Sequence, residues 1–238
     1  DGNAQMLAMI QRHYRVPPAN CTTTTISSCD QKRLFDQYLY LTQLQQARCY
    51  ETAFTHWRRH RSTNSNTMGI LYWQLNSIWQ GPDWSTIEYD GRLRLAHHAS
   101  RRAFAPLLLS ALRSGGTDAA SHVISIHLSN DKPTRVEGTL LVQLFRWRDA
   151  PARPVAQADK AVVMNAAASG EVWTLDLMPL MMQQQPPLAP SATFARLTYT
   201  HTGPEPTAIA YHWMVPFKDI ALPIATPKIL SVVQPSPT

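Results

Sequence analysis

The stretch that decides the reading is Leu71-Tyr72-Trp73-Gln74-Leu75-Asn76-Ser77-Ile78-Trp79-Gln80-Gly81-Pro82-Asp83-Trp84-Ser85-Thr86-Ile87-Glu88-Tyr89-Asp90-Gly91. Three of the seven tryptophans fall within the twelve residues from Trp73 to Trp84. The segment begins as a hydrophobic strand, breaks at Gly81-Pro82, and sets Gln74, Asn76 and Gln80 among the aromatics. A sugar-binding surface needs that mixture, with flat rings over apolar C–H faces and amides or carboxylates on the hydroxyls. Three clustered tryptophans are also what a core would use. Their place at the end of a strand and the start of its loop favours a site.

Working outward, the order of elements is helix, strand, long loop, helix, which is a slice of an α/β barrel. Residues 3–14 predict a short helix ended by Pro17-Pro18, and 19–30 a Thr/Ser-rich loop with Ser28 and Asp30 as candidate caps. From Arg33 to about His60, apolar residues Leu34, Tyr38, Leu41, Leu44, Ala47, Tyr50, Phe54 and Trp57 recur every three or four positions, as on one face of a helix. Met68 to Leu75 is continuous in the manner of a parallel barrel strand. Asn76 to Gly91 is the loop, and Arg92 to Phe104 returns to helix before Pro106.

Proline divides the chain: 15 of 18 lie at Pro106 or later. Beyond a connector at 106–116, short runs at 122–129, 138–147, 160–165, 171–178, 193–200, 208–217 and 228–233 alternate or cluster in apolar residues. Seven such runs with turn chemistry between them fit an immunoglobulin-like antiparallel β-sandwich over 117–238.

With 44% hydrophobic and 16% charged residues, the 238-residue chain is globular in composition. No apolar run is long enough for a membrane helix. The net charge of +6 is a mildly basic surface. Its two clusters, Arg58-Arg59-His60-Arg61 and Arg92 through Arg102, come with no nucleic-acid motif. No nucleic-acid or membrane partner is expected. Cys21 and Cys29 are spaced to close a small loop disulfide, Cys49 reads as a buried thiol on the long helix, and Asn20-Cys21-Thr22 is an N-glycosylation pattern. Together they point to the secretory pathway. The start at Asp1, without Met or a signal pattern, reads as a processed chain or a trimmed one.

His56 and His60 are four apart on the long helix, but the zincin glutamate is replaced by Trp57 and no third ligand is evident, so no metal or cofactor is expected. Hydrolysing a glycoside usually takes two carboxylates. Of the five glutamates, Glu51, Glu88, Glu137, Glu171 and Glu205, only Glu88 is near the aromatic loop.

The segment from Thr67-Met68-Gly69 to Glu88-Tyr89-Asp90-Gly91 resembles the lysosomal-type β-mannosidases of glycoside hydrolase family 2. So do Gly2-Asn3, Gln5-Met6-Leu7, Tyr40-Leu41-Thr42-Gln43, Phe104-Ala105-Pro106 and Tyr211-His212-Trp213. The resemblance implies a retaining exo-glycosidase that releases terminal β-linked mannose from oligosaccharides, with one glutamate as nucleophile and another as acid/base. In that family the glutamates lie in an Asn-Glu and a Ser-Glu-aromatic-Gly motif. This chain has neither Asn-Glu nor Ser-Glu. It would then be the last part of a (β/α)8 TIM barrel, residues 1–105, followed by the sandwich, and inactive by itself. A larger N-terminal chain would carry both glutamates, in a lysosomal or secreted enzyme. The resemblance also makes Trp73 a wall of the mannose subsite, Asn76 a hydroxyl ligand or loop support, and Trp84 an entrance residue. Ser77 stands where the family usually has Asp. The missing glutamates leave a second class open: a non-catalytic structural or lectin-like interaction subunit.

Overall fold

The structure, a computed structural model, describes residues 1–17, 31–114, 121–149, 153–203 and 207–223. The Asn20 sequon, the Cys21/Cys29 pair, the caps at Ser28 and Asp30 and the run 228–233 lie outside the described residues.

Helix α1 (Gly2–His13) is capped by Asp1, whose carboxylate accepts from the Ala4 amide at 2.8 Å. Helix α2 (Gln31–Arg59) is the longest element. Its N-terminal half is mostly exposed, and its buried positions gather at Gln45, Ala47, Phe54, Arg58 and Arg59. Cys49 is exposed rather than buried, and its sulfur accepts from the Gln45 side chain at 3.3 Å. Helix α3 (Leu95–Ala103) packs on α2 through Ala96, Ala99, Ser100 and Ala103, small residues that let the two backbones approach.

Seven antiparallel strands follow among the described residues. The first sheet has the order β1 (Leu107–Arg113), β2 (Val123–Asn130), β5 (Ala168–Asp176). The second has β4 (Ala156–Met164), β3 (Val136–Arg146), β6 (Thr193–His201), β7 (Ala208–Trp213). Side chains alternate across each strand, so Ile124, Ile126 and Leu128 meet Leu140, Val142, Leu144, Leu197 and Tyr199 in a fully buried core between the sheets. A short helix α4 (Met178–Met182) closes one end with Met181. The immunoglobulin-like sandwich is therefore present.

Two expectations are corrected. Leu107–Arg113, inside the stretch read as a connector, is a strand of the first sheet. Met68 to Leu75 is not a strand, and no TIM barrel is present among the described residues. A parallel barrel strand is held by neighbours on both sides. The other strands all belong to the sandwich, so Leu71 is 97% exposed.

The helical part is docked on the sandwich by buried cations. Arg58 donates to the carbonyls of Ala103 and Ala105, both at 2.6 Å, and to Asp131 at 2.9 Å. Arg61 donates to the other oxygen of Asp131 at 2.7 Å. The Ser169 hydroxyl donates to the Arg59 carbonyl at 3.0 Å. The basic cluster at the end of α2 is thus structural.

Candidate functional site

The loop from Asn76 to Gly91 is built on α2 and α3. Phe54 of α2 packs against Tyr50, Tyr72 and Phe104, with ring centroids 5.3, 5.8 and 5.2 Å away. That aromatic cluster seats the chain just before Trp73. The Tyr50 hydroxyl donates to the Trp73 carbonyl at 3.0 Å and lies 3.5 Å from the Trp84 carbonyl. Gln46, one turn earlier, donates to the same Trp84 carbonyl at 3.1 Å. Burial raises the pKa of the Tyr50 phenol, which keeps it a donor.

Two sequence-predicted residues, Trp73 and Trp84, are thereby brought together at their backbones, and their side chains stay outside, 70% and 69% exposed. The Trp73–Gln74 peptide is cis. Asn76 is exposed. It bridges Ile87 through its backbone, and its amide donates to the Ser77 carbonyl at 3.3 Å. Its side chain is thus engaged in loop support in this structure.

The far limb of the loop is organised by Arg94, which is 8% exposed. Its guanidinium donates to both oxygens of Glu88, at 2.7 and 2.9 Å. It also donates to Asp83 Oδ1 at 2.8 Å and to the carbonyls of Asp83 and Ser85 at 3.0 and 2.9 Å. Hydrogen bonds from the Ser85 hydroxyl, itself backed by Ser77, and from the Ser85 amide and Arg94 hold the Asp83 carboxyl well below the usual carboxylate range. The hydrogen bonds from Arg94 hold Glu88 low as well. Asp90, the third acid of the loop, accepts from its neighbour Arg92 at 2.7 Å. A general acid needs a raised pKa and a free edge. Each loop carboxylate is instead paired and depressed or paired at the surface. Glu88, the glutamate that lies within the loop, is a scaffold residue.

Asp83, Ser85, Arg94, Tyr50 and Gln46 are the residues that sequence reasoning missed. Tyr50 was read as part of an apolar helix face and Arg94 as part of a charge cluster. The signal available for Arg94 was its separation from Glu88 and Asp83, six and eleven residues along a chain rich in turn formers. The His56 and His60 rings lie tilted against each other with centroids 4.3 Å apart, and no group of three metal-binding side chains occurs among the described residues. No described helix is long and apolar enough to cross a membrane.

Residues 122–219 match the family described as a mannosidase Ig/CBM-like domain. The chain is 38% identical to a goat (Capra hircus) beta-mannosidase over 151 residues, covering 62% of this chain and 16% of the goat protein. It is 35% identical to the mouse (Mus musculus) beta-mannosidase over 184 residues, 76% of this chain and 19% of the mouse protein. Among solved structures, the beta-D-mannosidase of Dictyoglomus thermophilum superposes with a TM-score of 0.68 at 19% identity, over 93% of this chain and 23% of that one. The chain therefore spans less than a fifth of the length of these two curated relatives.

Proposed function

The chain belongs to the β-mannosidase family and is similar to its C-terminal portion, and from that premise we propose that it forms one wall of a β-mannosidase active site. The observation that carries this reading is the pairing of exposed Trp73 and Trp84 with loop carboxylates that are all engaged elsewhere. Such a loop can stack on a sugar's C–H face and favour a cationic transition state. It cannot supply a nucleophile and an acid. A companion chain, the larger N-terminal part of the same enzyme, supplies both glutamates in Asn-Glu and Ser-Glu-aromatic-Gly motifs. One attacks the anomeric carbon while the other protonates the leaving oxygen, and water then hydrolyses the glycosyl-enzyme with the second glutamate as base.

In this reading residues 1–105 complete the end of a TIM barrel only when the companion is bound. The exposed apolar side chains Leu71, Ile78 and Trp79, 97%, 66% and 67% exposed here, are then covered by it. Trp73 lines the mannose subsite, Trp84 the entrance, and Asn76 supports the loop or meets a hydroxyl. The substrate class is an oligosaccharide with terminal, non-reducing β-D-mannose. The sequon at Asn20 and a Cys21–Cys29 disulfide would fit a lysosomal or secreted enzyme.

The test is purification of the native protein, with and without reductant. A co-purifying chain that carries both motifs, together with hydrolysis of p-nitrophenyl β-D-mannoside, is the expected result. A lone 26.8 kDa species without hydrolysis would overturn it. Ser77, where the family usually has Asp, favours a second reading as a non-catalytic lectin-like or structural subunit. Mannoside binding without any partner glutamates would select it.

A further inference from the structure

Three polar side chains from opposite limbs of the aromatic loop meet at one buried point. Ser77 Oγ lies 2.5 Å from Ser85 Oγ, and Ser85 Oγ donates to Asp83 Oδ1 at 2.5 Å. The same Asp83 oxygen accepts the Ser85 amide at 3.0 Å and Arg94 at 2.8 Å. Ser77 and Ser85 are 4% and 0% exposed. A backbone bond from the Ser77 amide to the Ile87 carbonyl, 2.9 Å, holds the limbs in this register.

Buried donors must be answered. Here the Ser85 amide, the Ser85 hydroxyl and one arm of Arg94 are answered by a single carboxylate on the 83 side. Ser77 faces it from the other side of the same hydroxyl. A carboxylate at 77 would reach that hydroxyl too. Two carboxylates would compete for one set of donors and repel each other. With no carboxylate, the donors would be stranded. The cluster has room for one acid of the pair.

We infer that Asp83 is the positioning carboxylate of this loop, the one acid that its buried donors accommodate and that answers them. The inference rests on the reading of the loop as a sugar-site wall. Asp83 and Ser85 flank Trp84 directly, so fixing both of them fixes the backbone from which that ring projects, while Gln46 and Tyr50 hold its carbonyl. Asp83 acts through Trp84 and is not a catalytic residue.

A reciprocal exchange tests this in the intact assembled protein, with Asp83→Ser, Ser77→Asp and the double variant. The first readout is amide hydrogen exchange across 77–94, which needs no activity. The second is KM and kcat on p-nitrophenyl β-D-mannoside. Each single variant is expected to speed exchange of the Ser85 and Thr86 amides and to raise KM, both by about 10-fold, with the double variant returning to within about 2-fold of the parent. Asp83→Asn, which keeps the shape, gives an intermediate result and covers the case in which Asp83→Ser does not fold. Unchanged exchange in Asp83→Ser or Asp83→Asn, or a double variant no better than the worse single, would overturn the inference. Absence of hydrolysis by the parent would instead overturn the functional reading, and exchange would still decide this one.

Discussion

Arg58 of α2 and Asp131, which follows β2, lie 2.9 Å apart and join the helical part of the molecule to the sandwich. Arg58 is 7% exposed, so its charge has left water, and Asp131 also answers Arg61. The carbonyls of Ala103 and Ala105 satisfy part of the guanidinium without neutralising it. Asp131→Ala should therefore cost about 1–3 kcal/mol, because it leaves a buried cation uncompensated. Chemical denaturation checks this, and Arg61→Ala, which removes the more exposed partner, should cost less than about 1 kcal/mol.

Gly138 sits opposite His201 in the β3–β6 ladder. A Cβ there would lie 2.1 Å from the Thr200 carbonyl oxygen and 2.8 Å from the His201 Cα, both backbone atoms of the neighbouring strand. The strands would have to part. Gly138→Ala should destabilise the sandwich by about 3 kcal/mol or more. A thermal melt reads this, and an unchanged midpoint would contradict the strand pairing.

Trp73→Ala removes a ring that is 70% exposed, so the fold should hold within about 0.5 kcal/mol. On the proposed role of Trp73 as a sugar wall, its loss should lower turnover of the complete β-mannosidase about 10- to 100-fold. Tyr50→Phe, by contrast, removes no ring from the site. It frees the Trp73 carbonyl and should produce a smaller loss of turnover, with about 1 kcal/mol of stability. Steady-state rates beside denaturation curves separate the two effects. Equal rates for parent and Trp73→Ala would remove Trp73 from the sugar site.

His212 of β7 is buried, and its Nε2 has no hydrogen-bond partner among the described residues. Burial first, then the charges of Arg113 and His122, lower its pKa from 6.5 to about 4. His122 is lowered by burial and Arg113 too, against the pull of Asp176. Between these values the unfolded chain binds a proton that the native state refuses. The contribution is complete above about pH 6.5, falls as the pH drops towards about 4, and then levels off. It amounts to at most about 3 kcal/mol. Asp83 runs over a lower window. Its folded value is depressed, so its contribution to stability is complete above the ordinary aspartate range and is lost only as the pH falls below it. Urea titrations at pH 7.5 and 4.5 should show a smaller pH effect in His212→Gln than in the parent.

The sandwich was legible wherever one face of a strand is core and the other is not. Ile124, Ile126 and Leu128 alternate with less buried residues, and that pattern alone identifies β2. β1 was hidden because Leu107 through Ser110 are buried on both faces at its start, where Arg59 of α2 reaches Ser110. A strand buried on both sides shows no alternation. Met68 to Leu75 misled in the opposite sense, since its continuous apolar pattern has no partner strand among the described residues. Trp73 and Trp84 were visible by residue type. What joins them, the Tyr50 hydroxyl and the Arg94 fork, depends on side chains returning across a loop, and residue type carries no trace of that.

On the outer face of the second sheet, the ring centroids of Trp147 and Trp213 lie 5.5 Å apart, nearly parallel, and Trp213 leads through Phe217 to Tyr14 at the end of α1. Two indoles at that separation share their excited states. Coupling between them should appear as a circular dichroism couplet that is lost when the sheet is disrupted. Trp73, Trp79 and Trp84, standing in solvent, dominate the red side of the emission instead. These two groups of tryptophans should then report on different events, one on whether the sheet is intact and the other on whether anything has come to rest on the loop.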